Sequence, residues 1–189
     1  VSACLKHYAA NNQETNRMTI DVNMSERALR EIYLPGFKAA VMEGGVNTVM
    51  GAYNKFRGQW ASHNYYLLNT ILKHEWAFKG PVISDWAATH NTIEALYNGL
   101  DIEMGTEFSL KPFKGYNTFY LGDTVTTLIK EGKVKETVID EKIRRILRTM
   151  FKTGMMDKSR KPGSFATKEH QQVALKIAEE AIVLLKNEA

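Results

Sequence analysis

Short apolar runs and amphipathic stretches alternate along the first hundred residues. The runs cover 1–8, 46–53, 81–85 and 100–104, each of strand length, and helical periodicity fills the intervals between them. Ser25 stands where a helix N-cap belongs, and Leu29, Ile32, Tyr33, Phe37 and Val41 repeat on one helical face until Gly44-Gly45 breaks the pattern. A second helix is predicted over 64–76, with Tyr66, Leu67, Ile71 and Leu72 inward, and Gly80-Pro81 resets the chain for the third run. A third, shorter helix covers 91–98 and stops at Gly99. Strand followed by helix, repeated in this way, is the pattern of βα units around a parallel sheet.

The pattern changes after Met104. Residues 105–122 are rich in Phe, Tyr, Lys and Gly and have no period, which predicts a long loop. Helices are expected over 123–130 and 139–151. The second of these carries Ile143, Ile146, Leu147 and Met150 on its apolar side, with Lys142, Arg144, Arg145 and Arg148 as a solvated basic face. The polar stretch 156–164, broken by Pro162-Gly163, reads as a linker. A last amphipathic helix is expected over 167–186, burying Val173, Ile177, Ala181, Leu184 and Leu185. A complete eight-stranded barrel needs about 250 residues, so four strand candidates point to half of one. A self-contained four-stranded α/β domain is the alternative that length permits.

Composition narrows the partners more than the fold. The chain has 189 residues, 44% hydrophobic and 24% charged, as in ordinary globular proteins. Its 25 basic and 21 acidic residues give a net charge of +4, but the two signs are interspersed and no basic stripe interleaves with aromatics, so no nucleic-acid partner is expected. Cys4 is the single cysteine, which precludes an internal disulfide; it reads as a small buried strand residue. No stretch approaches the roughly 18 apolar residues of a membrane span, and no membrane partner is expected. Val1 is not an initiator Met and no leader pattern follows it, so the chain is expected to start inside a longer protein, with its compartment left open.

Polar groups gather where the first three runs end. Lys6, His7, Asn11, Asn12, Gln13 and Glu14 follow the first, Tyr53 and Asn54 the second, Asp85 and Trp86 the third. In a β/α barrel such strand ends face one pocket. Donors, a carboxylate and aromatic platforms together suit a polyhydroxylated ligand. Singly, each has a plainer reading: Ser84-Asp85 as a helix N-cap, His7 as a satisfied half-buried imidazole. The histidines His7, His63, His74, His90 and His170 show no metal-ligand spacing, and no Gly-rich phosphate loop follows a strand, so neither metal nor cofactor is expected.

The segments 6–17, 25–37, 49–54 and 82–86, containing Lys6-His7, Met50-Gly51-Ala52-Tyr53-Asn54 and Ser84-Asp85-Trp86, resemble glycoside hydrolase family 3 of the β-glucosidase type. The resemblance covers nearly the whole chain: 100–104 resembles the last barrel strand, and 181–188 resembles the start of the family's second domain. It implies the C-terminal part of a (β/α)8 barrel over 1–157, a linker over 158–166, and the first helix of an α/β sandwich domain over 167–189. It implies a retaining enzyme acting on terminal β-D-glucosyl residues, with Asp85 as nucleophile. Lys6 and His7 then match the pair that binds sugar hydroxyls, Arg17, Met50 and Tyr53 match further residues of the same subsite, and Trp86 borders the leaving-group subsite. A nearby Lys6 or Arg17 is expected to hold Asp85 charged. The acid/base Glu of this family belongs to the second domain and has no match here; Glu14, Glu94, Glu103 and Glu107 lack its context, and the chain alone is expected to be inactive. The loop after His7 lacks the features of the N-acetylhexosaminidase branch. Xylosidase and exo-glucanase activity stay open, as does a module that binds carbohydrate without cleaving it.

Overall fold

Three of the four apolar runs pair side by side. The computed structural model describes residues 2–105 and 119–188, in two units, Val1–Met156 and Asp157–Ala189. In the first unit β1 (Cys4–Tyr8), β3 (Thr48–Gly51) and β6 (Val82–Ile83) form a parallel sheet in that order, separated in sequence by β2 (Asp21–Val22), β4 (Lys55–Phe56) and β5 (Gln59–Trp60). Leu5 pairs with Val49 and Val49 with Val82. This row joins Leu29, Leu34, Phe37, Leu67, Leu68, Ile71 and Leu72 in the core beneath the sheet. The fourth run contributes a single parallel bridge, Ile83 to Ile102. Its regular pairing goes no further because Asp101 turns its carboxylate back to accept the Val82 N–H at 2.8 Å.

Strand alternation explains one departure. Cys4 lies next to Leu5 on the opposite side of an edge strand, and it is exposed rather than buried. Val1, at the start of the same run, lies outside the described residues, as do 106–118, which hold Glu107 and most of the expected long loop.

The first helical region is three pieces: α1 (Glu26–Ala28), a π-helix (Leu29–Tyr33) and α2 (Pro35–Met42). Ser25 caps it as expected, its hydroxyl accepting the Ala28 N–H at 3.2 Å. Pro35, which lacks an N–H, opens the last piece. The break rotates Ile32 out of the predicted face, leaving it 73% exposed. The second helix runs Tyr66–Glu75 in π form, and the inward set is Leu67, Leu68, Ile71 and Leu72. Tyr66 stays half-buried, its phenol shared between Glu26 and Arg30. α3 (Thr92–Tyr97) is capped by Asn91, whose Oδ1 accepts the Glu94 N–H at 3.0 Å, and Gly99 follows at φ +103°.

Two later expectations need correction. In α5 (Thr137–Lys152), which follows α4 (Asp123–Lys130), Lys142 is buried and donates to the carbonyls of Ala95 and Leu100, so burial pushes its ammonium down to about 8. Arg145 turns toward Asp101 and the Phe78 carbonyl, and Arg148 donates to the Lys79 carbonyl at 2.8 Å. The supposed solvated basic face is instead largely a set of donors to backbone carbonyls of α3 and of the loops before β6 and the fourth run; Arg144 alone of the four keeps to exposed carboxylates of its own helix. Ile143 and Leu147, expected inward, are exposed. In the second unit α6 (Lys168–Ala181), capped by Thr167, ends five residues early, because the β-branched pair Ile182-Val183 takes the chain into extended backbone. Val173, Ile177, Leu184 and Leu185 are exposed there.

The small second sheet, β2-β4-β5, has no periodic signature because each strand is two residues long. Its hairpin turns on Arg57 and Gly58, both at positive φ, and the Gly58 N–H is held by Asp21 at 3.0 Å.

Candidate active site

Asp85 sits two residues past β6, in a segment locked to the fourth run. The buried Ser84 donates its N–H to the Ile102 carbonyl at 2.9 Å and accepts the Met104 N–H on its hydroxyl at 2.8 Å. The N-cap reading of Ser84-Asp85 does not hold, since the next helix starts at Thr92 under its own cap.

The Asp85 side chain is 9% exposed, and its carboxylate meets polar groups from three chain segments. Oδ1 accepts the Trp86 N–H at 2.8 Å. Oδ2 lies 3.2 Å from Nε2 of His7, at the end of β1. The phenol of Tyr53, just past β3, faces it, close enough to feel its charge and to share a proton with it. A carboxylate with so little water needs such partners to satisfy its lone pairs. Burial, followed by the Asp85 charge and the hydrogen bond to it, pushes the Tyr53 phenol up to about 12. Tyr53 therefore stays a protonated donor throughout the neutral range.

The other expected residues spread around this centre. Arg17 does not pair with Asp85: its guanidinium lies 4.9 Å from the centroid of the Tyr53 ring and 3.2 Å from Glu14. Lys6 forms no ion pair with Asp85 either; it is exposed and lines an open cavity of about 390 Å³ with His7, Asn11 and Asn12. The groups placed around the Asp85 carboxylate are thus His7, Tyr53 and a backbone amide rather than those two cations. Met50 is half-buried opposite Ile83. Trp86 is 56% exposed at the rim, and Gly105 supports its ring: a Cβ there would come within 2.7 Å of the indole. Both the Lys6-His7 and Tyr8-Ala9 peptides are cis.

Two buried polar groups support the site: Asn54, already marked by the gathering after the second run, and His63, which no motif marks. Asn54, fully buried, donates to the carbonyls of Ala9 and Lys55 and ties the loop after β1 to the loop after β3. His63, fully buried in the 3₁₀ turn Ala61–His63, approaches Glu94 of α3 and the backbone of His90. A buried polar residue next to a strand end was the available signal, but burial is not visible in a segment without periodicity. Among the described residues no group of three His, Cys, Asp or Glu side chains converges as metal ligands would, and no helix is long and apolar enough to cross a membrane.

This sheet, with carboxylate, imidazole and phenol at the ends of successive parallel strands, has the layout of a β/α barrel enzyme site. The family model described as the glycosyl hydrolase family 3 N terminal domain matches residues 1–149, and the chain belongs to that family. Beta-glucosidase BoGH3A of Bacteroides ovatus is 51% identical over 99% of the chain, which spans 25% of that protein. Among solved structures, β-glucosidase 3B of Thermotoga neapolitana, in complex with glucose, superposes with a TM-score of 0.81 at 39% identity, covering 100% of this chain and 26% of that one. DesR, a β-glucosidase of Streptomyces venezuelae in complex with D-glucose, gives 0.85 at 38% identity over 98% of this chain and 24% of its own. The chain therefore spans about a quarter of the length of these relatives. Its parallel sheet and flanking helices are part of a (β/α)8 barrel.

Proposed function

We propose that the chain is the nucleophile-bearing part of a retaining β-glucosidase, working within a longer polypeptide. In this reading Asp85 attacks the anomeric carbon of a terminal β-D-glucosyl residue as the bond to the leaving oxygen breaks, giving a glycosyl ester. Water then cleaves the ester and returns the original anomeric configuration. His7 and Tyr53 hold the attacking carboxylate, Lys6 and His7 bind sugar hydroxyls, Arg17 packs behind Tyr53, Met50 lines the subsite, and Trp86 offers an aromatic face to the leaving group.

The observation that carries this reading is the buried Asp85 carboxylate with His7, Tyr53 and the Trp86 amide gathered around it. The glucose complexes of the relatives support the sugar. The acid/base carboxyl, which sits about 5 to 5.5 Å from the nucleophile in retaining enzymes, is assigned to a segment beyond this chain. In support, Glu14 pairs with Arg17, Glu94 lies against His63, and Glu103 accepts the N–H groups of Tyr120 and Leu121. Residues 1–157 are accordingly read as barrel, 158–166 as linker and 167–189 as the opening of an α/β sandwich domain.

The test is Asp85→Ala in the longer polypeptide. Hydrolysis of an aryl β-glucoside should disappear, and added azide should restore leaving-group release with an α-glucosyl azide as product. Wild-type turnover by the variant overturns the assignment.

A further inference from the structure

Beneath the segment leading away from Asp85 lies a buried group that the sugar chemistry leaves unused. His63 is fully buried. Its Nε2 accepts the backbone N–H of His90 at 3.2 Å. Its Nδ1 lies 2.7 Å from a Glu94 carboxylate oxygen, in a bent approach short of a regular hydrogen bond. Its carbonyl accepts Nδ2 of Asn98 at 3.1 Å. One imidazole thus joins the turn after β5, helix α3 and the backbone five residues beyond Asp85. The His90 ring stacks on Trp60 with centroids 4.0 Å apart, and the Lys55 ammonium lies 4.6 Å from the centroid of Trp60.

The hydrogen bonding fixes the tautomer. A nitrogen that accepts an N–H carries no proton, so the single proton of neutral His63 sits on Nδ1 facing Glu94. Protonating Nε2 would set two N–H groups against each other. Burial disfavours the imidazolium, although Glu94 opposes this. The other charged or titratable groups around it are His90 from the loop and Lys55 beyond Trp60.

The segment between Asp85 and His90 is held at both ends. At the first, Asp85 accepts the Trp86 N–H on its side chain and the Ala88 N–H on its carbonyl, while the Ala87 N–H is shared by the Met104 and Gly105 carbonyls. The second end is the bond to His63. We propose that His63 is a positioning residue for the nucleophile: as the neutral Nδ1–H tautomer it pins residues 86–90, and through the Trp86 amide it sets the direction of the Asp85 carboxylate. The proposal rests on Asp85 being the nucleophile.

Loss of the pin misaligns attack more than it weakens sugar binding, which the Lys6 and His7 side chains supply from another strand. A displacement of about 1 Å is enough to slow an aligned reaction about 100-fold.

The experiment uses the longer polypeptide and measures trapping by a 2-deoxy-2-fluoro-β-glucoside alongside the inhibition constant of glucose, with circular dichroism to check folding. In wild type the trapped residue is mapped first; a label away from Asp85 overturns the nucleophile reading itself. With the label on Asp85, His63→Leu should trap about 10- to 100-fold more slowly, with glucose inhibition changed by less than about 3-fold. His63→Gln, whose amide oxygen reaches the Nε2 position, should recover most of the rate. Trapping by His63→Leu at the wild-type rate, or equal loss of trapping and glucose binding, overturns the role of His63 alone. Should the leucine variant fail to fold, the pH profiles of wild type and His63→Gln decide. Wild type should lose trapping on acidification through a step that His63→Gln lacks, and superimposable profiles overturn the proposal.

Discussion

Replacing Asp101 by Asn removes one charge from a buried cluster while preserving its shape. The Asp101 side chain is 2% exposed and Lys73 9%, with Oδ2 and Nζ 2.8 Å apart. The same Oδ2 accepts the Val82 N–H at 2.8 Å, and Oδ1 lies 3.8 Å from Arg145. At an effective dielectric constant of about 20, a unit pair at that separation is worth roughly 6 kcal/mol. An amide oxygen in place of Oδ2 still accepts from Val82 and Lys73, but it leaves the buried Lys73 ammonium with neutral acceptors only, that oxygen and the Gly99 carbonyl, and no counter-charge. Burial already lowers the Lys73 pKa against the pull of Asp101, so without Asp101 the ammonium is held less well. Part of the loss is therefore relieved by deprotonation, and the net destabilisation expected is about 3 to 5 kcal/mol. Urea unfolding of the longer polypeptide, followed by tryptophan fluorescence, measures it. In a Lys73→Met background the same change should cost less than about 2 kcal/mol, because the stranded charge is gone. A loss under about 1 kcal/mol in the wild-type background, or an equal loss in both, refutes the reasoning. The cluster bears on function because the Asp101 bond to Val82 holds β6, three residues before Asp85.

Other expectations follow from the same geometry. Tyr53→Phe removes a donor to a charged carboxylate, worth about 1.5 to 3 kcal/mol; kcat/KM should fall roughly 10- to 150-fold, and a change under about 3-fold contradicts the contact. Because the Tyr53 phenol stands near 12, activity should show no loss from its ionisation up to about pH 10. Gly80→Ala places a Cβ 1.9 Å from the Asn47 carbonyl oxygen, and the backbone shift this forces should lower stability by about 3 kcal/mol in the same urea assay. His63 and His90 both have depressed pKa values through burial, so the unfolded chain binds more protons than the folded one below about pH 6.5. The stability they contribute is present above that pH and lost as pH falls toward their folded pKa values. The melting temperature should drop on acidification through this window, and less in His63→Gln.

Much of the layout was legible because hydrophobic period and chemistry coincide at strand ends. Leu5, Val49 and Val82 lie within short apolar runs, and His7, Tyr53 and Asp85 stand at or just past the ends of those runs, so the core of the sheet and the gathering of these three side chains could be read without coordinates. The misreadings have physical causes. Lys142 carries a charge that periodicity places on a surface, yet the carbonyls of Ala95 and Leu100 compensate its burial. Ile32 follows a helical repeat that a π-helix and Pro35 interrupt. Arg17 was assigned to Asp85 by charge alone, whereas geometry sets it against the Tyr53 ring and Glu14. His63 had no neighbour in sequence to mark it, since its partners Glu94 and His90 lie about thirty residues away, a tertiary distance that no local pattern encodes.

The central claim is that Asp85 forms the covalent intermediate. Trapping the longer polypeptide with a 2-deoxy-2-fluoro-β-glucoside, followed by proteolysis and mass spectrometric mapping, tests it most directly. The expected result is one fluoroglucosyl adduct on the peptide spanning Val82-Ile83-Ser84-Asp85-Trp86, localised to Asp85. An adduct on another carboxylate such as Glu103 or Asp101, or full turnover with no adduct at all, contradicts the claim.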